Sequence, residues 1–395
     1  MPRTYLAISR FEEDTVGKEI NRRTLLQRGA VGGLGLAGLG SLPSILNNTS
    51  ARAAESDAAT GIDPKLIAAA KAEGKLNVIA IPHADWANYQ EVMDTFTKLY
   101  GIAITDAIPE GSSSQEIQAI QNFKGQSRGP DVVDVSPVYA IKGAALGLYA
   151  PYKVATWDTI PANLKDPNGA WYGDYWGVIA FMSNNSAVKD APKDWSDLLS
   201  PKLRNAVALG DSPIISGEAF AAVFAAALAH GGSLDNIQPG IDFFVRLKQA
   251  GNFNPAQGKV GNFGKGIVSV SIRWDYLLLG DRDSLAGNPS ATIHVPTSGT
   301  YGGAYFQAIS KYAPNPNAAK LWMEYLYSDQ GQLLWLKGYT HPIRYADLSK
   351  RGVVPAALAA KLPPAAAYKH VPFATPAQVT NAQAIVAAQW KKVSG

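Results

Sequence analysis

The chain has 395 residues, of which 47% are apolar and 17% are charged, a composition typical of a globular protein with a large core. It contains no cysteine, which excludes disulfides, thiolate metal sites and a cysteine nucleophile. The formal net charge is +4, from 36 basic and 32 acidic residues; seven of these basic and four of these acidic residues lie within residues 1–53. The remaining 29 basic and 28 acidic residues leave a net charge of +1, so we expect no nucleic-acid partner.

The first 53 residues have the order of regions found in an export signal. Arg22 and Arg23 precede a weakly apolar, glycine-rich stretch over 29–46, and small residues precede a cleavage site predicted after Ala53. This order predicts a twin-arginine signal peptide over 1–53 and export to the periplasm. Because no cysteine follows the cleavage site, we expect no lipid anchor, a soluble mature protein and no stable membrane insertion.

The first part of the mature chain predicts strands that alternate with helices. Helices are predicted over 62–73 and 87–100 and from Ser113, and strands over 76–81, 102–108 and 132–135. Ser113 and Glu116 have the spacing of a capping box. The alternation predicts an α/β fold with a mainly parallel sheet, in which the loops after the strands meet along one edge.

The pattern restarts after a strand predicted over 178–183. A second α/β unit is predicted over 184–294, and the chain then returns to the first unit over 292–296. This division predicts one lobe from 54–183 and 295–395 and a second lobe from 184–294. The elements predicted in the later part are strands over 205–209 and 267–272 and helices over 218–229, 241–250, 317–327, 328–336 and 376–390.

Four segments of the mature chain carry a family resemblance. They are Asp63–Gly74, Trp171–Gly173, Val295–Thr300 and Pro314–Gln332. In this order and spacing they resemble the type II periplasmic solute-binding proteins of ABC importers. The resemblance covers about residues 62–392, and it is greatest for the branch that contains ferric-iron, thiamine and phosphorylated-solute binders.

The resemblance implies a two-lobed periplasmic-binding-protein type II fold. Two crossover strands would join the lobes, and hinge bending would close them on a ligand held in the cleft. It implies a small-molecule ligand and a cognate ABC permease in the inner membrane as partners. We expect a monomer without a cofactor or a metal.

Two pairs of aromatic and acidic residues are the first candidate ligand contacts. Asp85 and Trp86 follow the first predicted strand, and Trp274 and Asp275 follow a strand of the second unit. An aromatic face beside a carboxylate suits an organic cation; alternatively, each tryptophan fills core space and each aspartate caps a turn. Arg273 either pairs with Asp275 or holds an anionic group.

Serines at predicted helix starts form a second set of candidates. Backbone N–H groups at a helix start favour a phosphate or carboxylate, although the serines could simply cap the helices. Near the first crossover we expect one of Tyr172, Tyr175 and Trp176 to line the cleft, with Tyr175 taken as the candidate, and the sequence does not show which. After the return crossover Tyr301 is the candidate, whereas Tyr305 could belong to the core. The serines are Ser112, Ser113, Ser136, Ser212 and Ser216.

The ligand that fits these candidates best is a thiamine-like or polyamine-like cation. A phosphorylated or carboxylated solute and ferric iron are the alternatives within the same class of protein. Iron is disfavoured because the chain has no adjacent tyrosine pair and its five histidines show no metal-ligand spacing. A secreted hydrolase is the alternative of another class. The chain lacks the H-E-x-x-H and P-loop motifs, so we expect a binding protein and no enzyme.

Overall fold

The computed structural model describes residues 61–81, 86–109, 111–369 and 371–395. The signal peptide predicted over 1–53 and the candidate Asp85 lie outside the described residues. Among the residues that are described, no helix combines the length and the apolarity needed to cross a membrane.

The first α/β elements follow the predicted order with small shifts at their ends. Helix α1 begins after Asp63, whose carboxylate accepts the Lys65 N–H at 2.9 Å, and ends at Gly74 in a left-handed conformation. The elements are α1 (Pro64–Glu73), β1 (Lys75–Ile79), α2 (Tyr89–Tyr100), β2 (Ala103–Ala107), α3 (Ser113–Asn122), β3 (Val132–Val135), α4 (Pro137–Ala145) and β4 (Tyr149–Ala150).

The capping box of α3 lies one residue earlier than predicted. The Ser112 N–H donates to the side-chain oxygen of Gln115 at 2.9 Å, and these two residues form the box. The prediction of Ser113 and Glu116 was wrong because both side chains accept bonds from the neighbouring segment: Ser113 Oγ from the Ser136 N–H at 3.0 Å and Glu116 from the Asp134 N–H at 2.9 Å.

The rest of the chain begins with a long strand and ends in helices. The elements are β5 (Tyr172–Asn184), β6 (Val207–Leu209), α5 (Gly217–Ala229), α6 (Gln238–Gln249), α7 (Val260–Gly264), β7 (Val270–Trp274), α8 (Asp275–Ser284), β8 (Ala291–His294), β9 (Gly302–Ser310), α9 (Pro316–Leu326), α10 (Asp329–Lys337), β10 (His341–Pro342), α11 (Tyr345–Lys350), α12 (Ala356–Ala359), α13 (Pro376–Gln389) and α14 (Lys391–Ser394). Short 3-10 segments lie at Trp157–Thr159, Ala162–Leu164, Trp195–Leu199, Pro201–Leu203 and Ala365–Tyr368.

The strands form a mixed sheet in which β5 is the central element. The order is β3-β9-β5-β7-β6, with β4 on β9, and with β8 and β10 on β5; β1 and β2 pair separately. Among the described strands only β1–β2 and β6–β7 are parallel. The prediction of a mainly parallel sheet was therefore wrong, because β5 and β9 run antiparallel to each other and to the other strands they pair with. The α/β class itself is confirmed.

A pair of glycines lets helix α8 approach the centre of this sheet. Gly177 of β5 lies opposite Gly303 of β9. A Cβ atom at Gly177 would lie 2.5 Å from the Tyr276 ring, and one at Gly303 would lie 2.3 Å from the Trp274 ring. Larger residues at these two positions would therefore displace the end of β7 and the start of α8.

Candidate functional site

Four aromatic side chains from separate elements meet at one place, and we call them the aromatic cluster: Trp86, Tyr175, Tyr276 and Tyr305. The indole N–H of Trp86 donates to the Tyr175 hydroxyl at 2.6 Å. The ring of Trp86 stands edge-on to Tyr276 at 5.8 Å and to Tyr305 at 5.5 Å between ring centroids. Tyr175 stacks on Tyr305 at 6.0 Å. Trp86 is half-buried, so this ring lies at the edge of the cluster that faces solvent.

Buried carboxyl groups lie against the cluster, and we call Asp134, Asp174 and Glu116 the acidic floor. Asp134 accepts the Tyr89 hydroxyl at 2.7 Å and the Tyr175 hydroxyl at 3.4 Å, both through Oδ2. Its Oδ1 is buried and accepts no bond from a described hydroxyl, amide or backbone N–H group, and the neighbouring Asp174 carboxyl, when protonated, shares a hydrogen bond with Asp134. Asp174 accepts the side-chain amide of Gln307 at 3.0 Å.

Burial makes ionisation of the acidic floor costly. It raises the pKa of Asp134 to about 6, against 3.8 for an ordinary aspartate. Burial also raises the pKa of Asp174 and of Glu116 well above their usual range, and the charge of Asp134 acts in the same direction on both. The donors that contact these three groups are hydroxyl, amide and backbone N–H groups, which carry no positive charge.

Four of the five serine candidates lie at helix starts, as predicted, and two of them are in contact. The bond between Ser113 Oγ and the Ser136 N–H joins the starts of α3 and α4. Ser216 caps α5 by accepting the Ala219 N–H at 3.3 Å. Ser212 accepts the Ile214 N–H at 3.4 Å within the preceding loop. A Cβ atom at Gly217 would lie 3.8 Å from the Tyr305 hydroxyl, so the start of α5 borders the aromatic cluster.

The Arg273 guanidinium forms ion pairs with two carboxylates. Its Nε donates to Glu218 at 3.1 Å and its Nη1 donates to Asp281 at 2.7 Å, and the residue is 7% exposed. Of the two alternatives for Arg273, the pairing with Asp275 was wrong, because the Asp275 carboxylate accepts the Val178 N–H and the Tyr368 hydroxyl instead; the binding of an anionic group stays a prediction.

The candidates Trp274 and Asp275 lie against the crossing strands. Trp274 is 3% exposed and stacks parallel to Tyr276 at 6.4 Å between centroids. Asp275 is fully buried: its Oδ1 accepts the Val178 N–H at 3.0 Å, and its Oδ2 accepts the Tyr368 hydroxyl at 2.6 Å. Burial raises the pKa of Asp275 to about 6. A ligand-binding role for these two residues stays a prediction.

The two tyrosines that follow the return crossover lie in different environments, and a ligand-binding role for Tyr301 stays a prediction. Tyr301 stacks on Phe224 with 5.0 Å between centroids and is 6% exposed. Tyr305 belongs to the aromatic cluster. Tyr301 lies just before β9 and Tyr305 lies within it, so the alternation of the strand does not fix the orientation of both rings.

Sequence reasoning missed the acidic floor and Tyr276. One signal was available for Asp134, which is an acidic residue inside the otherwise apolar strand 132–135. Buried charged residues are rare, and when they occur without a charged partner they often belong to a functional site. Asp174, which stands between two pairs of aromatic residues, gave a similar signal, whereas Glu116 lies among polar neighbours in the sequence.

The sequence matches a known protein family and several curated proteins. A family model described as a bacterial extracellular solute-binding protein matches residues 129–375. A periplasmic protein of Salmonella typhimurium that is named for the binding of 2-aminoethylphosphonate is 28% identical over 117 residues. That match covers 30% of this chain and 33% of the relative, and the chain spans 58% or less of the length of the curated relatives it matches.

Two solved structures share the fold. The periplasmic binding protein AfuA of Actinobacillus pleuropneumoniae, solved with fructose 6-phosphate bound, has a TM-score of 0.63 and 20% identity over 81% of this chain and 99% of its own. Iron-bound HitA of Pseudomonas aeruginosa has a TM-score of 0.61 and 20% identity over 80% of this chain and 99% of its own. These similarities confirm the predicted two-lobed fold of the periplasmic-binding-protein type II class.

Proposed function

The chain belongs to the bacterial extracellular solute-binding protein family, and from this premise we propose that it captures a small organic cation in the aromatic cluster. The cation is thiamine-like or polyamine-like, and the captured solute passes to an ABC permease in the inner membrane. The observation that carries the proposal is the meeting of four aromatic rings beside a buried pair of carboxyl groups, Asp134 and Asp174, that has no cationic partner among the described residues.

The aromatic rings supply the first half of the recognition. The face of a tryptophan or tyrosine ring attracts a cation by about 0.5–2 kcal/mol, more when water is excluded. Burial raises the pKa of Tyr175 and of Tyr276 well above the ordinary value, which keeps both phenols neutral. A neutral phenol can accept a hydrogen bond from an ammonium group, and its ring can contact an apolar part of the same ligand.

The acidic floor supplies the second half. Its buried carboxyl groups have only neutral donors, so a bound ammonium would compensate their charge and stabilise the ionised form of Asp134. Arg273 does not supply this compensation within the contacts described, since it holds Glu218 and Asp281. The site therefore favours a cation over an anion of similar size.

A ligand with an anionic group in addition to its cation is a second candidate. The starts of α3 and α4 meet through Ser113 and Ser136, and backbone N–H groups at helix starts favour phosphate or phosphonate. The Salmonella relative named for 2-aminoethylphosphonate, a compound with an ammonium and a phosphonate group, and the AfuA complex with fructose 6-phosphate make this candidate worth testing. Because HitA was solved with iron bound, ferric iron is included in the same test.

The rest of the proposal concerns the whole protein. Residues 1–53 act as a twin-arginine signal peptide that directs the folded chain to the periplasm. Residues 54–183 and 295–395 form one lobe, residues 184–294 form the other, and hinge closure traps the solute. The protein acts by binding alone and catalyses no reaction on its ligand.

A thermal-shift panel on the purified mature chain tests the ligand class. The panel contains thiamine, thiamine monophosphate, putrescine, spermidine, 2-aminoethylphosphonate, fructose 6-phosphate and ferric citrate, with 1,4-butanediol as the uncharged match to putrescine. A ligand at 100 times its dissociation constant stabilises the folded state by about 2.7 kcal/mol. We expect a shift with at least one cation and none with 1,4-butanediol. Shifts confined to fructose 6-phosphate or to ferric citrate would contradict the proposal.

A further inference from the structure

We infer a second ligand site, outside the aromatic cluster, that takes a small organic anion with an apolar body. A cavity of about 690 Å³ lies between β8 with its following loop, the end of α8 and the segment 360–369. Cavities that bind small molecules have volumes of about 300–1,000 Å³, so this one is large enough for a ligand. The inference does not depend on which solute the aromatic cluster binds.

The charged residues that line the cavity are basic. Arg282 comes from α8, and Lys361 and Lys369 come from the segment 360–369, while His294 of β8 adds an imidazole. No aspartate or glutamate is among the lining residues that the structure describes. Cationic side chains from separate elements around one cavity favour an anionic ligand.

Two acidic residues are bonded to lining residues, Asp283 to Arg282 and Asp194 to Thr297, and the lining cations still outnumber them. Asp283 Oδ1 accepts Nε of Arg282 at 3.0 Å and Nη2 at 2.9 Å, and its other oxygen accepts the Tyr339 hydroxyl. Asp283 and Asp194 therefore offset two charges, and the three cations Arg282, Lys361 and Lys369 leave one positive charge in excess. Because an arginine has five N–H donors, Arg282 retains donors for a ligand in this arrangement.

The remaining lining residues make the cavity partly apolar. A carboxylate, sulfonate or phosphate alone would leave this surface without a contact, so the ligand needs an apolar part as well as its charge. The apolar lining residues include Leu279, Ile293, Val295, Leu362 and Pro363.

The walls of the cavity are held in place before any ligand binds. Asp194 fixes the loop after β8 by accepting the Thr297 hydroxyl at 2.6 Å and the Ser298 N–H at 3.2 Å. Gly299 has a φ of 64°, and a Cβ atom there would lie 2.1 Å from the Ala225 carbonyl oxygen. The facing wall ends near Tyr368, which is bonded to the buried Asp275. A preformed cavity binds a ligand with a smaller entropic cost.

The site can be tested with a fluorinated probe. Binding of 4-(trifluoromethyl)benzoate to the mature chain would be followed by ligand-observed 19F NMR, with 4-(trifluoromethyl)benzamide as the uncharged match. The variants are Lys361→Gln, which removes no bond described here, and Arg282→Gln with Lys361→Gln. Lys98→Gln, on the exposed face of α2, is the control for net charge, and Trp86→Ala is the control for the aromatic cluster.

We expect saturable binding of the benzoate and none of the benzamide at the same concentrations. The double variant should bind about tenfold more weakly or worse, as expected when a charge-assisted hydrogen bond is lost. Lys361→Gln alone should weaken binding in the same direction, while Lys98→Gln and Trp86→Ala should leave it unchanged. Absence of saturable binding, or equal binding by wild type and by Lys361→Gln, would overturn the inference. Loss of benzoate binding in Trp86→Ala would place the probe in the aromatic cluster and also overturn it, without bearing on whether that cluster binds a cation.

Discussion

Gly177 and Gly303 face each other across the antiparallel pair β5 and β9, and the rings of Tyr276 and Trp274 occupy the space above them. Tyr276 belongs to the aromatic cluster, so its position depends on how closely α8 approaches these strands. The two glycines therefore link the geometry of the sheet to the geometry of the candidate site.

Gly303→Ala should destabilise the fold and shift Trp274. The added Cβ would lie 2.3 Å from the Trp274 ring, a distance that requires movement. Overpacking of this kind costs about 1–3 kcal/mol, measurable by urea unfolding. The control is Gly280→Ala, an exposed position within α8 with nothing within 4 Å of the new Cβ, which should be neutral or stabilising. Equal stability of wild type and Gly303→Ala would contradict the packing described here.

Arg273→Gln should destabilise the protein more than any loss of a surface charge. Glu218 and Arg273 are both buried, and removing the guanidinium would leave the Glu218 carboxylate without its cation. Breaking a buried ion pair in this way costs about 3–5 kcal/mol. Arg282→Gln removes a partly exposed pair with Asp283 and should cost about 1 kcal/mol or less. Similar unfolding free energies for the two variants would show that the ion pair of Arg273 with Glu218 does not stabilise the fold.

Asp275 should make stability depend on pH in a defined direction. Its pKa is about 6 in the folded chain against 3.8 for an ordinary aspartate, so the folded state holds the proton more tightly. The stability that this proton contributes is fully present below about pH 4 and is lost as the pH rises through about 6. The shift corresponds to about 3 kcal/mol at most.

Asp275→Asn isolates this contribution, because asparagine does not titrate and other carboxyl groups are common to both proteins. The stability of wild type minus that of the variant should fall between pH 4 and pH 6.5 and then stay constant. Urea unfolding at four pH values measures the difference. If the unfolding free energies of wild type and Asp275→Asn differ by the same amount at pH 4 and at pH 7, a raised pKa for Asp275 is ruled out.

Trp86 should contribute to binding more than to stability. It is half-buried, its indole N–H bonds Tyr175, and its ring contacts Tyr276 and Tyr305. Trp86→Ala should weaken binding of a cationic ligand by about 1–2 kcal/mol, and Trp86→Phe should recover part of the loss because it restores an aromatic face. Trp157→Phe is the control, since Trp157 contacts Tyr172 and Lys165 instead. A Trp86→Ala variant with full affinity would place the ligand elsewhere.

The sequence predicted most elements of the fold, because periodicity and capping residues act over a few positions. Strand 132–135 has the predicted bounds, and α5 begins one residue before its predicted start. The pairing of β5 with β9 and the two carboxylate partners of Arg273 depend on contacts between distant residues. Local patterns carry no information on such contacts, and Glu218, for example, lies 55 residues from Arg273.

The residues of the candidate site were likewise predicted only in part from the sequence. Trp86 and Tyr175 were recognised because each lies near the end of a strand or a crossover, and the structure brings them into contact. Asp134 was missed because its neighbours Val133 and Val135 indicate a core strand. Only the tertiary structure shows that its carboxyl group is buried beside Asp174 with no cationic partner among the described residues.

The most direct test of cation capture is calorimetric titration of wild type and Asp134→Asn with the cation that gives the largest thermal shift. The substitution keeps the shape of the side chain and removes its charge. We expect the variant to remain folded and to bind about thirtyfold more weakly or worse, a loss of about 2 kcal/mol, as found when one partner of a buried charge pair is removed. Equal affinities of wild type and Asp134→Asn for that cation would contradict the account.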